Sequence, residues 1–303
     1  VTDRLMLLDT ASLYFRAFYG VPDKVKAPDG TSVNAVRGLL DMIAKLVTTY
    51  EPTRLVACWD DDWRPAWRVD LLPSYKAHRV VQAVPAGTDV EEVPDPLEAQ
   101  IPLIREALSV LGIPIVGAAE HEADDVIGTL ATRADVPVDI VTGDRDLFQL
   151  VDDERGVRVI YTARGMSNLE LVDDAAVVAK YGVHARQYAD FAVLRGDPSD
   201  GLPGVAGIGE KSAATLLGAC GSLDGIRSAA ADGTAGTPAQ RAKITAAADY
   251  LDVAPTVVNV ARNLDLGPFD DRLGRADATG AAELADRINL GSSMTRALAA
   301  LPH

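Results

Sequence analysis

Short apolar runs alternate with helical patterns through the first half of the chain. LMLL (5–8), LVACW (55–59), IPIVG (113–117), VDIVT (138–142) and VRVIY (157–161) each read as a buried strand, some rich in β-branched residues. Between them Val36, Leu39, Leu40, Ile43 and Val47 recur at helical spacing. Ile101, Ile104, Leu108 and Leu111 do the same, with Gly112 placed to end that helix, and Val126, Ile127, Leu130 and Ala134 form a third stripe. Strand–helix–strand alternation predicts an α/β fold, a mainly parallel sheet with helices on both faces. Residues 77–100 hold Pro85, Gly87, Pro94 and Pro96 and little periodicity, which predicts an excursion above one edge of the sheet. Strands disappear from about residue 175, Ala-rich helical segments follow, and a domain boundary is expected near residue 180.

In such a sheet, ligands bind beyond the carboxyl ends of the strands. Acidic residues gather there. Asp9 follows LMLL, Asp60 follows LVACW, and Asp144 and Asp146 follow VDIVT. Glu122, Asp124 and Asp125 open a helix in HEADDVIG, where the positive end of the helix dipole favours carboxylates. Asp197 and Asp200 come later, in RGDPSDGLPG. Aspartates at single strand ends often only cap turns. Carboxylates crowded together resist ionising unless a cation sits among them, so the pattern predicts a Mg²⁺ or Mn²⁺ site with hard oxygen ligands.

Charge and composition adjust this picture only locally. The net charge of −15 argues against a phosphate-rich partner, yet residues 63–80 carry Arg64, Arg68, Lys76 and Arg79 against Asp70 alone. Lys76 and Arg79 read either as a solvated patch or as cations that swing over the acidic edge to bind phosphate. Arg16 could do the same from below, with Tyr14 or Phe15 as a stacking face, although Phe15 reads first as a core residue. Cys58 and Cys220 lie far apart without metal-type spacing, which predicts reduced thiols in a cytosolic protein. No apolar run approaches a membrane span, and the N-terminus lacks a signal-peptide layout, so no membrane association is expected.

GLPGVAGIGEKSAATLL (201–217) reads as a hairpin opening a helix. Gly204, Gly207 and Gly209 let the backbone turn tightly and approach a ligand, while Lys211 and Ser212 stand at the helix start, a position suited to phosphate. A plain interhelical turn is the simpler reading. The pattern matches a helix–hairpin–helix, which grips DNA through its backbone without reading bases.

In sequence order LLDT…YFRAF, CWDD…SYKAHR, EADDVIG, TGDRDLFQL and GDPSDGLPGVAGIGEKSA resemble the bacterial flap endonuclease and 5′-3′ exonuclease family, which includes the 5′-nuclease domain of DNA polymerase I. The resemblance covers about residues 3–220. It implies a PIN-like nuclease domain over 1–180, with a helical arch at about 63–100. A helical DNA-binding domain over 181–303 would follow, with a helix-three-turn-helix at about 190–220. It implies that the nine carboxylates form a two-metal centre, that Lys76 and Arg79 are the basic pair of the arch, and that K⁺ binds carbonyls around Val205 and Ile208. Such a centre would hydrolyse a phosphodiester near a single-strand/duplex junction, two metals activating water and stabilising the leaving 3′ oxygen. The expected partners are DNA with a 5′ flap, nick or 5′ end and RNA–DNA primers, met by a cytoplasmic, nucleoid-associated monomer. No polymerase sequence follows, which favours a stand-alone enzyme, while a fragment of a larger polymerase would read the same.

Three departures stand out: Asp61 and Asp62 follow Asp60, so that Asp61 competes with it as ligand although Asp60 directly follows the aromatic that ends the strand; Gly201 replaces the Asn common after SD; and the arch is longer and more acidic than in many relatives. Two other function classes fit part of the pattern. A Toprim-like metal enzyme would use Glu122, Asp144 and Asp146 but leave Asp9, Asp60, Asp197 and Asp200 idle. In a non-catalytic DNA-junction binding module, the carboxylates would hold a structural ion.

Overall fold

In the computed structural model, which describes residues 3–84 and 89–301, all five expected strand runs carry a strand. They are β1 (Leu5–Asp9), β2 (Arg54–Cys58), β5 (Ile115–Val116), β6 (Val138–Thr142) and β7 (Val157–Tyr161). Three more were not foreseen: β3 (Val80–Gln82) and β4 (Val90–Glu91), which pair antiparallel, and β8 (Glu170–Val172). The central sheet runs β5-β2-β1-β6-β7-β8 and is parallel except for β8 at one edge.

Alternation along β1 shows why both faces are covered. Leu5 and Leu7 join one core with Val126, Ile127 and Phe191, whereas Met6 and Leu8 join another with Leu39, Ile43 and Leu46. The helix Asn34–Tyr50 carries the first expected stripe, Ile101–Val110 the second and Ala123–Arg133 the third. Gly112 follows Ile101–Val110 with φ +68°, against the Arg275 carbonyl.

Two parts of the layout differ from expectation. The arch region is helical only in short pieces, Ala66–Leu71, a 3₁₀ turn at Ala77–Arg79 and Asp95–Glu98, with the β3–β4 hairpin between them. Pro94 stands just before the last helix and Pro96 in its first turn, whereas Pro85 and Gly87 lie outside the described residues. The residues expected as one helical unit from 181 to 303 also part ways. Helices from Tyr188–Arg195 to Ala248–Val258 share the core of the first sheet face. Beyond them the chain returns to the sheet: Leu55 N donates to Asp271 O (2.8 Å), beside the half of β2 that two-residue β5 leaves uncovered. Leu290, Met294, Ala297 and Leu301 then pack into the second core.

Candidate functional site

Parallel register brings the acidic strand ends to one level, since Asp9 pairs with Cys58 and Leu8 with Val141. Asp9 caps the helix Thr10–Gly20, accepting from Ser12 N (3.2 Å) and from the Thr142 hydroxyl (2.6 Å). Asp60 accepts from Ala123 N (2.8 Å) at the start of the next acidic helix. There Glu122 is the N-cap. Asp144 accepts from Asp146 N (2.8 Å), and Asp197 from Ser199 N (2.9 Å). These contacts are the turn-capping role the residue types allow, yet the same side chains face one another across a space.

That space is a cavity of about 370 Å³ lined by Asp9, Asp60, Glu122, Asp124, Asp144 and Asp197, six of the nine expected carboxylates. Lys76, Arg79 and Phe15 line it too. Asp146 and Asp200 lie behind, in a narrow cleft shared with Glu122 and Asp124. Asp125 lines neither; its carboxylate is paired with Arg68 instead. Asp60 therefore faces the cavity, whereas Asp61 directs its carboxylate at the place where a Cβ on Gly117 would stand.

Burial and mutual repulsion distort the acidity of the group. Asp9 is pushed up to about 7, mainly by burial and then by the charges of Asp60 and Asp144, against the bond from Thr142. Asp60 rises to about 6 through burial, with Glu122 adding to it. Burial also raises Asp124, beside Asp144 and Asp9, and Asp146, beside Asp144 and Asp200. Asp146 Oδ1 is buried without a hydrogen-bond partner. Among the described residues, no three such side chains already surround a single point. Mg²⁺ does not require that, because it keeps several waters and takes one or two carboxylates.

The basic residues sit closer in than the sequence suggested. Lys76 is buried, in the left-handed conformation (φ +47°), with its ammonium on Glu122. Burial alone would favour the neutral amine, but Glu122 holds its pKa well above the usual value. Arg79 donates to Ser199 O (2.8 Å) and Asp200 (3.1 Å). Arg16 lies outside the cavity, in an adjoining groove that shares Ser12 and Phe15. Tyr14 is in the core, while Phe15, read first as core, is half-buried and faces both spaces.

Sequence reasoning passed over several partners. Arg145 and Arg195 both donate to Asp197 (3.2 and 3.1 Å), Tyr75 donates to Glu122 (2.7 Å), and Glu91 of β4, in the acidic arch, lines the cavity. Arg145 lies inside TGDRD and Tyr75 beside Lys76, so proximity to the motifs was the available signal.

The hairpin joins the helices Tyr188–Arg195 and Glu210–Cys220. Gly204 has φ +69°, and a Cβ there would lie 2.6 Å from Gly196 N; Gly207 has φ +75° against Lys243, whose ammonium donates to its carbonyl (3.0 Å). Gly209 is the N-cap of the second helix, with open space around it. Lys211 and Ser212 occupy that helix's first turn, Lys211 exposed. Val205 and Ile208 bury their side chains, and Ile208 N donates to Val205 O (2.9 Å). Gly201, the departure without an evident reason, has φ +71°, and a Cβ there would meet the Ser74 carbonyl at 2.0 Å. It lets the base of the arch touch the turn, where Lys76 N donates to Asp200 O (3.0 Å).

Comparison with known proteins agrees with this layout. Residues 4–182 match the family model of the 5′-3′ exonuclease N-terminal resolvase-like domain, and 183–278 that of the 5′-3′ exonuclease C-terminal SAM fold. A 5′-3′ exonuclease of Streptomyces coelicolor is 60% identical over 98% of this chain and 99% of its own length. One of Mycobacterium tuberculosis is 51% identical over 98% and 97%. Among solved structures, the flap endonuclease of bacteriophage T5, in a pseudo-enzyme–product complex with DNA and metal ions, matches 98% of both chains with a TM-score of 0.62 at 17% identity, a likeness of fold.

Proposed function

The chain belongs to the 5′-3′ exonuclease family, and from that premise we propose that it is a structure-specific 5′ nuclease, hydrolysing DNA phosphodiesters where single strand meets duplex. The observation that carries this reading is the convergence of six carboxylates from five stretches of chain on one cavity, beside Lys76 and Arg79. A Toprim-like arrangement would leave Asp9 and Asp60 unused, yet both face that cavity.

The donor set fits a hard divalent cation, Mg²⁺ or Mn²⁺, being oxygen throughout, crowded enough to raise several acidities, and including an unpartnered Asp146 oxygen. Asp9, Asp60, Glu122, Asp124, Asp144, Asp146, Asp197 and Asp200 would share two such ions between them, some through bound water. When bound, such ions activate water and neutralise charge on the scissile phosphate. Lys76, held protonated on Glu122, can pass its ammonium to a phosphate oxygen, and Arg79 can do so from Asp200. Phe15 offers a stacking face to a base at the junction. Duplex DNA would lie along Gly204, Gly207, Gly209, Lys211 and Ser212, with K⁺ on carbonyls around Val205 and Ile208.

The test sets 5′-flap, nicked, 5′-recessed and RNA–DNA substrates side by side, with Mg²⁺, Mn²⁺ or EDTA. Metal-dependent release from the 5′ strand at or near the junction is expected, and substituting Na⁺ for K⁺ should weaken duplex binding. Binding without cleavage in every metal would leave a junction-binding module instead.

A further inference from the structure

Asp125 belongs by sequence to the acidic cluster, but its carboxylate has no room for another ligand. Oδ1 accepts from Arg68 Nη2 (2.7 Å) and Ala261 N (2.8 Å); Oδ2 accepts from Arg68 Nη1 (2.8 Å) and Glu122 N (3.2 Å). Four donors fill the roughly four lone-pair directions a carboxylate offers. The fork of two parallel bonds is the geometry in which arginine and carboxylate hold each other most firmly. Arg68 is 2% exposed and Asp125 fully buried, so neither is free to turn toward the cavity.

Arg68 reaches further. Its Nη1 also donates to Glu122 Oε1 (3.0 Å), and its Nε donates to Val257 O (3.0 Å), near the end of the helix Ala248–Val258. One guanidinium therefore joins the base of the arch, the helix bearing Glu122 and the helices behind the hairpin. Its Cζ lies 4.4 Å from the Trp67 ring centre, a further restraint on its rotamer.

We propose that Arg68 and Asp125 are a positioning pair rather than metal ligands: they lock the Glu122 carboxylate toward the cavity and fix the arch base to the DNA-binding helices. The inference rests on Glu122 being a metal ligand. Glu122 is the N-cap of its helix, where a long side chain has several rotamers. Asp125 pins its backbone N–H and Arg68 pins Oε1, which leaves Oε2 toward Lys76 and the cavity.

Three variants test this by Mn²⁺ titration, followed by the electron paramagnetic resonance of the free ion, together with thermal melting and flap-cleavage kinetics. Asp125→Asn should bind as many Mn²⁺ as the native chain, within about threefold in affinity, while its Tm falls by about 10 °C, since the buried Arg68 loses the carboxylate fork and keeps only Glu122 to offset its charge. Asp124→Asn, by contrast, should lose Mn²⁺ affinity at least tenfold with a smaller change in Tm. Arg68→Lys keeps a cation beside Asp125 without the fork. It should keep most of the native Tm, yet cut kcat at saturating Mn²⁺ about tenfold with the KM for DNA unchanged, because Glu122 Oε1 loses one of its two donors and keeps only the Tyr75 hydroxyl. Loss of Mn²⁺ from Asp125→Asn to the extent seen in Asp124→Asn would make Asp125 a ligand and overturn the inference. Native kcat in Arg68→Lys along with native Tm would reduce the pair to a structural one, also against it. Failure of the native chain to bind Mn²⁺ would instead defeat the metal-site reading itself.

Discussion

At the scale of single residues, position along a strand end decides function less than what the side chain already touches. Asp60 and Asp61 are adjacent and chemically identical, yet only Asp60 lines the carboxylate cavity. Asp60→Asn should therefore lower flap cleavage at least a hundredfold and Asp61→Asn by less than threefold, as single-turnover rates would measure. Lys76→Ala should reduce turnover far more than Lys211→Ala, which should mainly raise the Kd for duplex; equal effects on binding would contradict the separation of roles. The raised acidities carry a signed consequence. Asp9 (about 7) and Asp60 (about 6) bind protons more tightly folded than unfolded, so metal-free stability falls as pH rises from about 4 through 7. Asp125 is the opposite case: burial opposes its charge, but the Arg68 bonds win and lower its pKa, so its contribution is lost only below the ordinary carboxylate range. Melting of the EDTA-treated protein should be several degrees higher at pH 5.5 than at pH 7.5, and Mg²⁺ at pH 7.5 should close the gap.

At the scale of elements, periodicity carried most of the fold. Five strand runs and three helical stripes were legible because each lies in a core where alternation or 3.6-residue spacing is enforced by burial. What escaped was short or held by distant partners. Strand β8 has three residues on an edge, and β3 and β4 pair over so few that no alternation could show. The return of residues 271–301 to the sheet depends on the short β5 leaving backbone groups of β2 free, a fact of topology rather than of pattern. Within the site, the acidic residues were legible from strand ends, but Arg68 was only one of several basic residues in a run, and its bonds reach 54 to 189 positions along the chain. The returning segment has a testable weight. Met294, 1% exposed in the second core, should cost about 2–4 kcal/mol of stability when changed to Ala, without altering the KM for DNA. Gly201→Asn should separate the turn from the arch base, lowering kcat more than duplex affinity, because its Cβ meets the Ser74 carbonyl.

At the scale of the whole molecule, a chain of net charge −15 that binds a polyanion needs its acidic centre screened. Divalent cations would do this at the point where the phosphates approach, while Lys76, Arg79 and the hairpin supply the remaining contacts. Ca²⁺, which fills oxygen sites, should tighten flap binding about tenfold over EDTA, and less so in Asp124→Asn. The sheet, the cavity at its strand ends and the helices behind the hairpin then act as one device, with the buried Arg68 tying the arch base and the helix bearing Glu122 to the helices behind the hairpin.

Release of labelled strand from a 5′-flap duplex, followed across a Mn²⁺ titration for the native chain and for Asp124→Asn, tests the carboxylate centre most directly. Cleavage should be absent in EDTA, rise with Mn²⁺ in the native chain, and stay at least a hundredfold lower in Asp124→Asn while both chains still bind the flap. Cleavage in EDTA, or a variant as fast as the native chain, would mean that the cavity at the strand ends is not where the phosphodiester is cut.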